Sequence, residues 1–96
     1  MDAIACYNDE VAYHTVELLI GMGRRVPEDI SVTGFDDSYL AEACPVKLTT
    51  ARHPKQELGR EAAALVLELI SGNLTSPEVR IIKPELVLRN STTVRS

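Results

Sequence analysis

Apolar residues run unbroken through residues 3–7 (Ala-Ile-Ala-Cys-Tyr), and polar ones take over at Asn8, Asp9 and Glu10. An uninterrupted apolar run of this length predicts a buried parallel strand. The spacing then changes: Val11, Ala12, Val16, Leu19 and Ile20 recur at intervals of three and four, the period of a helix with one apolar face. Asn8 or Asp9 is placed to cap that helix, accepting from its first free N–H groups. Gly21 and Gly23 end it, with Arg24 and Arg25 at the negative end of its dipole.

A second β-rich run, residues 30–35, follows Val26-Pro27-Glu28-Asp29 and stops at Gly34-Phe35-Asp36-Asp37. Residues 38–43 read as a loop or short helix leading to Pro45, and residues 47–51 as a third strand. His53-Pro54 opens the most regular helix, because a proline in the first turn gives up an N–H that has no partner there. Its apolar face carries Leu58, Ala62, Leu65, Val66, Leu69 and Ile70, and Gly72 and Asn73 stop it. Residues 79–88 read as one extended edge segment broken at Pro84. The order β-α-β-β-α-β predicts an α/β fold with a parallel sheet flanked by helices.

At 96 residues the chain is one small domain or a piece of a larger one, and its early first strand points to a start inside a fold. The net charge of −4 and the scatter of the ten Lys and Arg argue against a DNA-binding surface within this segment. No stretch is long and apolar enough to span a membrane, and residues 1–4 do not read as a signal peptide. Cys6 and Cys44 lie far apart in apolar surroundings, as reduced core thiols of a cytoplasmic protein would; a mutual disulfide or zinc ligation is the lesser reading.

Two strands thus end alike, in an aromatic residue followed by short polar ones: Tyr7, Asn8 and Asp9, then Phe35, Asp36 and Asp37. In an open parallel sheet ligands bind at that edge, where helix N-termini also point. Carboxylate and amide groups bond neighbouring hydroxyls, and an aromatic face covers the C–H side of a sugar ring. The plainer reading makes Asn8 and Asp9 helix caps and Asp36 and Asp37 turn residues. A hydrolytic or receiver-like use of Asp36 or Asp37 needs Mg²⁺ and a well-placed lysine, which Lys47 and Lys55 do not obviously supply. His14 and His53 make a poor metal set. The first helix, with Tyr13, and residues 39–46 form either an interface between protomers or plain core.

Several of these motifs together resemble the effector-binding domain of the lactose/galactose-repressor family. They are residues 7–12, residues 26–37, Pro45 with Leu48-Thr49-Thr50, Leu58-Gly59 with Ala62, and Pro84-Glu85-Leu86-Val87 with Arg89, Ser91 and Thr92. The Cys6-to-Glu10 start and the His53-Pro54-Lys55 junction are most similar to the arabinose-responsive branch in Gram-positive bacteria. The resemblance implies the C-terminal part of a periplasmic-binding-protein-like, two-lobe fold. Residues 1–46 would lie in the C-terminal lobe, 47–83 would cross to the N-terminal lobe, and 84–96 would return. It further implies a non-enzymatic, sugar-responsive transcriptional regulator without a cofactor, working as a homodimer and touching DNA only through a headpiece outside this chain. The sugar, L-arabinose or another mono- or disaccharide, would meet Asn8 and Asp36, with Tyr7, Asp9 and Phe35 as neighbours. A periplasmic sugar-binding protein shares the fold and stays open as an alternative.

Overall fold

The computed structural model describes residues 2–72 and 81–93. The chain divides into two compact units, Met1–Arg52 with Glu85–Ser96, and His53–Pro84.

In the first unit, β1 (Ala3–Ala5) and β2 (Ser31–Thr33) pair in parallel, Ile4 opposite Val32. The connection between them is α1 (Asp9–Gly21). Asn8 caps α1, its Oδ1 accepting from the Val11 N–H at 2.9 Å. At the other end Gly23 takes a left-handed φ of 80°, its N–H bonds the Ile20 carbonyl, and the Arg24 N–H reaches back to Leu19. That pair of bonds is the Schellman closure, and only a residue tolerant of positive φ makes it cheaply.

After β2 a single short helix, α2 (Tyr39–Ala43), fills the stretch left open between loop and helix. Then β3 (Thr50–Arg52) pairs antiparallel with β4 (Glu85–Val87), Arg52 opposite Glu85. On its other side the β3 segment lies parallel to the exit of β2 through bridges Thr33 to Thr49 and Asp36 to Arg52. The core comprises Ala12, Val16 and Leu19 from α1, Val32 from β2, Ala41 and Cys44 around α2, and Val26 and Leu48. Burial pushes the Cys44 thiol pKa up.

All the strands are shorter than the apolar runs predict. Residues 6 and 7 leave the ladder because Asn8 must turn the chain into α1, although the Cys6 N–H still reaches the Thr33 carbonyl. The third strand starts at Thr50, not at position 47. Of the expected edge segment, Glu85–Val87 pairs just after Pro84, whereas residues 79 and 80 lie outside the described residues, as does Asn73. Within residues 39–46, Ala41 and Cys44 are core, as the plainer reading had it, whereas Tyr39 is 80% exposed.

The second unit is built on α3 (Lys55–Ser71), closed by Gly72 at φ 79°. No residue of α3 is buried, and Val66, Leu67, Leu69 and Ile70 on it are exposed.

Candidate functional site

The expected site lies where β1 and β2 end, and its first anchor is Asp9. This side chain is 1% exposed. Its carboxylate accepts from the Ser38 N–H at 2.6 Å and from the Thr50 hydroxyl at 2.7 Å, and its own N–H donates to the Phe35 carbonyl at 3.0 Å. A buried carboxylate is tolerable only when several donors meet it. Asp9 therefore ties together the start of α1, the turn after β2, the start of α2 and β3. Gly34 follows from the same contact, because a Cβ at that position would overlap the Asp9 carboxylate.

Beyond Gly34 the chain makes a tight turn with two successive positive φ angles, 110° at Asp36 and 53° at Asp37. For residues other than glycine such conformations cost about 1–3 kcal/mol each, so the surroundings must hold them. The Asp36 N–H donates to the Ala51 carbonyl at 2.8 Å, and the Asp37 N–H to the Thr50 hydroxyl at 3.3 Å. The Asp37 carboxylate then accepts from Arg52 Nε at 2.9 Å and Arg89 Nη2 at 2.7 Å. Burial pushes the Asp37 carboxyl up, but the bonds and charges of Arg89 and Arg52 outweigh it and leave the pKa below the ordinary carboxylate value. Arg89 is fixed in turn by the Leu48 carbonyl at 2.9 Å and by Glu42 at 3.3 Å.

A second set of bonds fastens the chain after β4. The Ser91 hydroxyl, fully buried, donates to the Val32 carbonyl and accepts from the Thr49 N–H at 2.8 Å. The Thr49 and Thr92 hydroxyls lie 2.8 Å apart.

A cavity of about 220 Å³ opens at this edge, lined by Asn8, Asp9, Asp36, Ser38 and Tyr39 among others. Of the five residues singled out from the sequence, Asn8, Asp9 and Asp36 therefore meet in one place. Tyr7 and Phe35 do not line that cavity; Tyr7 is 87% exposed and Phe35 37%. The Asn8 side chain does cap α1, as the plainer reading had it, and lines the cavity as well. Among the described residues, the Ser38 hydroxyl is buried with no hydrogen-bond partner. Leaving a buried hydroxyl unpaired costs about 1–3 kcal/mol.

The receiver-like arrangement is not what the acidic pair forms: Asp37 is held between two arginines, and Lys47 pairs with Glu42 at 3.3 Å. Among the described residues no group of three or more His, Cys, Asp or Glu converges as a metal site. Sequence reasoning did not single out Ser38 or Tyr39 as cavity residues, nor Thr50, Arg52 and Arg89 as the partners of Asp9 and Asp37. Ser38 at the start of a short helix was the one local signal available.

A parallel βαβ unit with a polar cavity at its carboxyl edge is the arrangement in which open α/β domains take ligands. The chain belongs to the family of the periplasmic binding protein-like domain, which matches residues 2–92. It is 47% identical over 91 residues to the arabinose metabolism transcriptional repressor of Geobacillus stearothermophilus, covering 94% of this chain and 25% of that protein. A solved complex of the transcriptional regulator CelR with cellobiose superposes with a TM-score of 0.87 at 35% identity, over 95% of this chain and 28% of that one. A LacI-family transcriptional regulator from an Arthrobacter species, in complex with lactose, gives 0.86 at 38% identity, over 97% of this chain and 35% of that one. The chain thus spans about a quarter of the length of the curated relatives it matches. Among the described residues no helix is long and apolar enough to cross a membrane.

Proposed function

We propose that this chain is part of the effector-binding domain of a sugar-responsive bacterial transcriptional regulator, cytoplasmic and homodimeric, that does no catalysis. The observation that carries the reading is the cavity at the carboxyl edge of the sheet, where Asn8, Asp36 and Ser38 converge. Its polar groups suit vicinal hydroxyls: an amide gives and accepts at once, and a carboxylate accepts from two neighbours. Support also comes from the relatives, a repressor of arabinose metabolism and regulators solved with cellobiose and lactose.

In this reading Asn8 and Asp36 bond the sugar with Asp9 beside them, whereas Tyr7 and Phe35, expected as neighbours, stand outside the cavity lining. Residues 1–46 and 84–96 belong to one lobe of the whole domain, and residues 47–83 reach the other. A sugar that binds one arrangement of the whole domain better than another shifts the population toward it, and with it the affinity for DNA. Tyr39 and Leu18, both exposed, are offered for contact between protomers.

The test is calorimetry on the full-length protein with L-arabinose, then cellobiose and lactose. Saturable heat with one of them is expected, weakened about tenfold or more by Asp36→Ala, since a hydrogen bond to a charged group is worth about 1.5–3 kcal/mol. Absence of binding by every sugar, or full affinity in Asp36→Ala, overturns the reading.

A further inference from the structure

We propose, resting on the effector-site reading above, that Asp37 is a positioning residue: its carboxylate couples the turn carrying Asp36 to β3, where the chain leaves the first unit, and to the segment just past β4, on its return. The unit ends at Arg52 and resumes at Glu85. Asp37 Oδ2 accepts from Arg52 Nε at 2.9 Å, at the point of departure. Its Oδ1 accepts from Arg89 Nη2 at 2.7 Å, just past β4 on the return. Arg52 and Glu85 face each other in the β3–β4 register, and their charged groups approach to 3.9 Å. One carboxylate thus touches both connectors.

Besides the bonds from the Asp36 and Asp37 N–H groups to β3, the turn thus carries two guanidiniums on the Asp37 carboxylate. The Asp37 and Arg89 side chains are each 13% exposed, which shields their pair from the solvent screening that weakens surface ion pairs. Arg89 is not a loose partner either, because it is anchored on the Leu48 carbonyl. Asp36 and Asp37 share a peptide unit, and both hold positive φ, where the allowed region is narrow. A ligand that draws on the Asp36 carboxylate therefore turns the Asp37 backbone, and the paired guanidiniums carry that turn to β3 and to the segment after β4. The bonds from the turn to β3 and to the segment after β4 form one contiguous set able to carry such coupling.

The experiment compares wild type, Asp37→Asn, Arg89→Met, their double variant and Arg52→Gln, all in the full-length protein. Asparagine keeps the size and the tolerance of positive φ while removing the charge. Affinity is read by calorimetry with L-arabinose, cellobiose and lactose, and amide exchange by mass spectrometry on the ligand-free protein. Asp37→Asn should weaken the sugar that wild type binds by about tenfold, and adding Arg89→Met should weaken it by less than about twofold more, because both act on one link. Unchanged affinity in Asp37→Asn, or losses that multiply in the double variant, overturns the proposal.

Arg52→Gln touches only a half-exposed guanidinium and guards against a variant that fails to fold; it should cost about threefold, and no loss there overturns the proposal. If wild type binds none of the sugars, the sugar reading fails and exchange decides the coupling alone. Faster exchange at both 50–52 and 85–87 in Asp37→Asn upholds it. Exchange that changes only at 36–38, or nowhere, overturns it.

Discussion

The Asp9 carboxylate accepts a 2.7 Å hydrogen bond from the Thr50 hydroxyl, joining the first residue of α1 to the first residue of β3 across 41 positions of sequence. Both side chains are fully buried. The bond fixes where β3 lies against the exit of β2, and so where the turn at Asp36 stands.

Thr50→Val removes the hydroxyl and keeps the shape. The Asp9 carboxylate then stays buried with one donor fewer, and the protein should lose about 1–3 kcal/mol of stability, measured by urea unfolding. Thr50→Ser, which restores the donor, should recover most of the loss. Equal stability in the valine variant would show that Asp9 is satisfied without Thr50.

Gly34→Ala and Gly21→Ala make a matched pair. At Gly34 the new methyl meets the Asp9 carboxylate, and overpacking against a fixed buried group should cost about 1–3 kcal/mol. At Gly21, the last residue of α1, nothing lies within 4 Å, so alanine should be neutral or stabilise by up to about 1 kcal/mol. The thermal unfolding midpoint should therefore fall for Gly34→Ala and stay level or rise for Gly21→Ala.

Asn8 has two roles that substitution can separate. Asn8→Asp keeps the oxygen that caps α1 but loses the amide donor, so stability should hold while sugar affinity in the full-length protein falls. Asn8→Ala should lose both, with about 0.5–2 kcal/mol of stability for the missing cap. If Asn8→Asp binds sugar as wild type does, Asn8 is a cap and nothing more.

Asp37 sets an acid limb. Its pKa in the folded state is depressed, so its ion pairs contribute fully above the unfolded value of about 3.9 and are lost as pH falls through the lower folded value. Asp37→Asn should be less stable than wild type near neutral pH, and the difference should shrink on acidification below about pH 4. Asp29, lowered by its hydrogen bonds to Arg25, adds an independent contribution in the same direction. Parallel stability curves for wild type and Asp37→Asn would contradict the assignment.

Much of this was legible in the sequence. The cap at Asn8, the closure at Gly23 and the stop at Gly72 are written in residues that act within a turn of themselves. The carboxyl edge was readable too, because apolar runs ending in short polar residues mark where strands stop. What could not be read was which polar residue would be a wall and which a tie. Asp9 looks like Asp36 in the sequence, and both line the cavity, yet the Asp9 carboxylate is also tied to Ser38 and Thr50. Arg89 and Arg52 carry no local mark of their role.

The sequence by itself determined the α/β order of elements, the ends of the helices and the strand edge at which polar groups gather. Those features rest on hydrogen bonds and periodicities spanning a few residues, which any window of the chain contains. Tertiary structure alone decided that Asp9 serves Ser38 and Thr50, that Gly34 must lack a side chain, and that Asp37 bridges two arginines. Asp9 and Ser38 are 29 residues apart and Asp37 and Arg89 are 52 apart. Pairs so distant have many rival donors, and only the packing of residues 49–52 beside β2 selects among them.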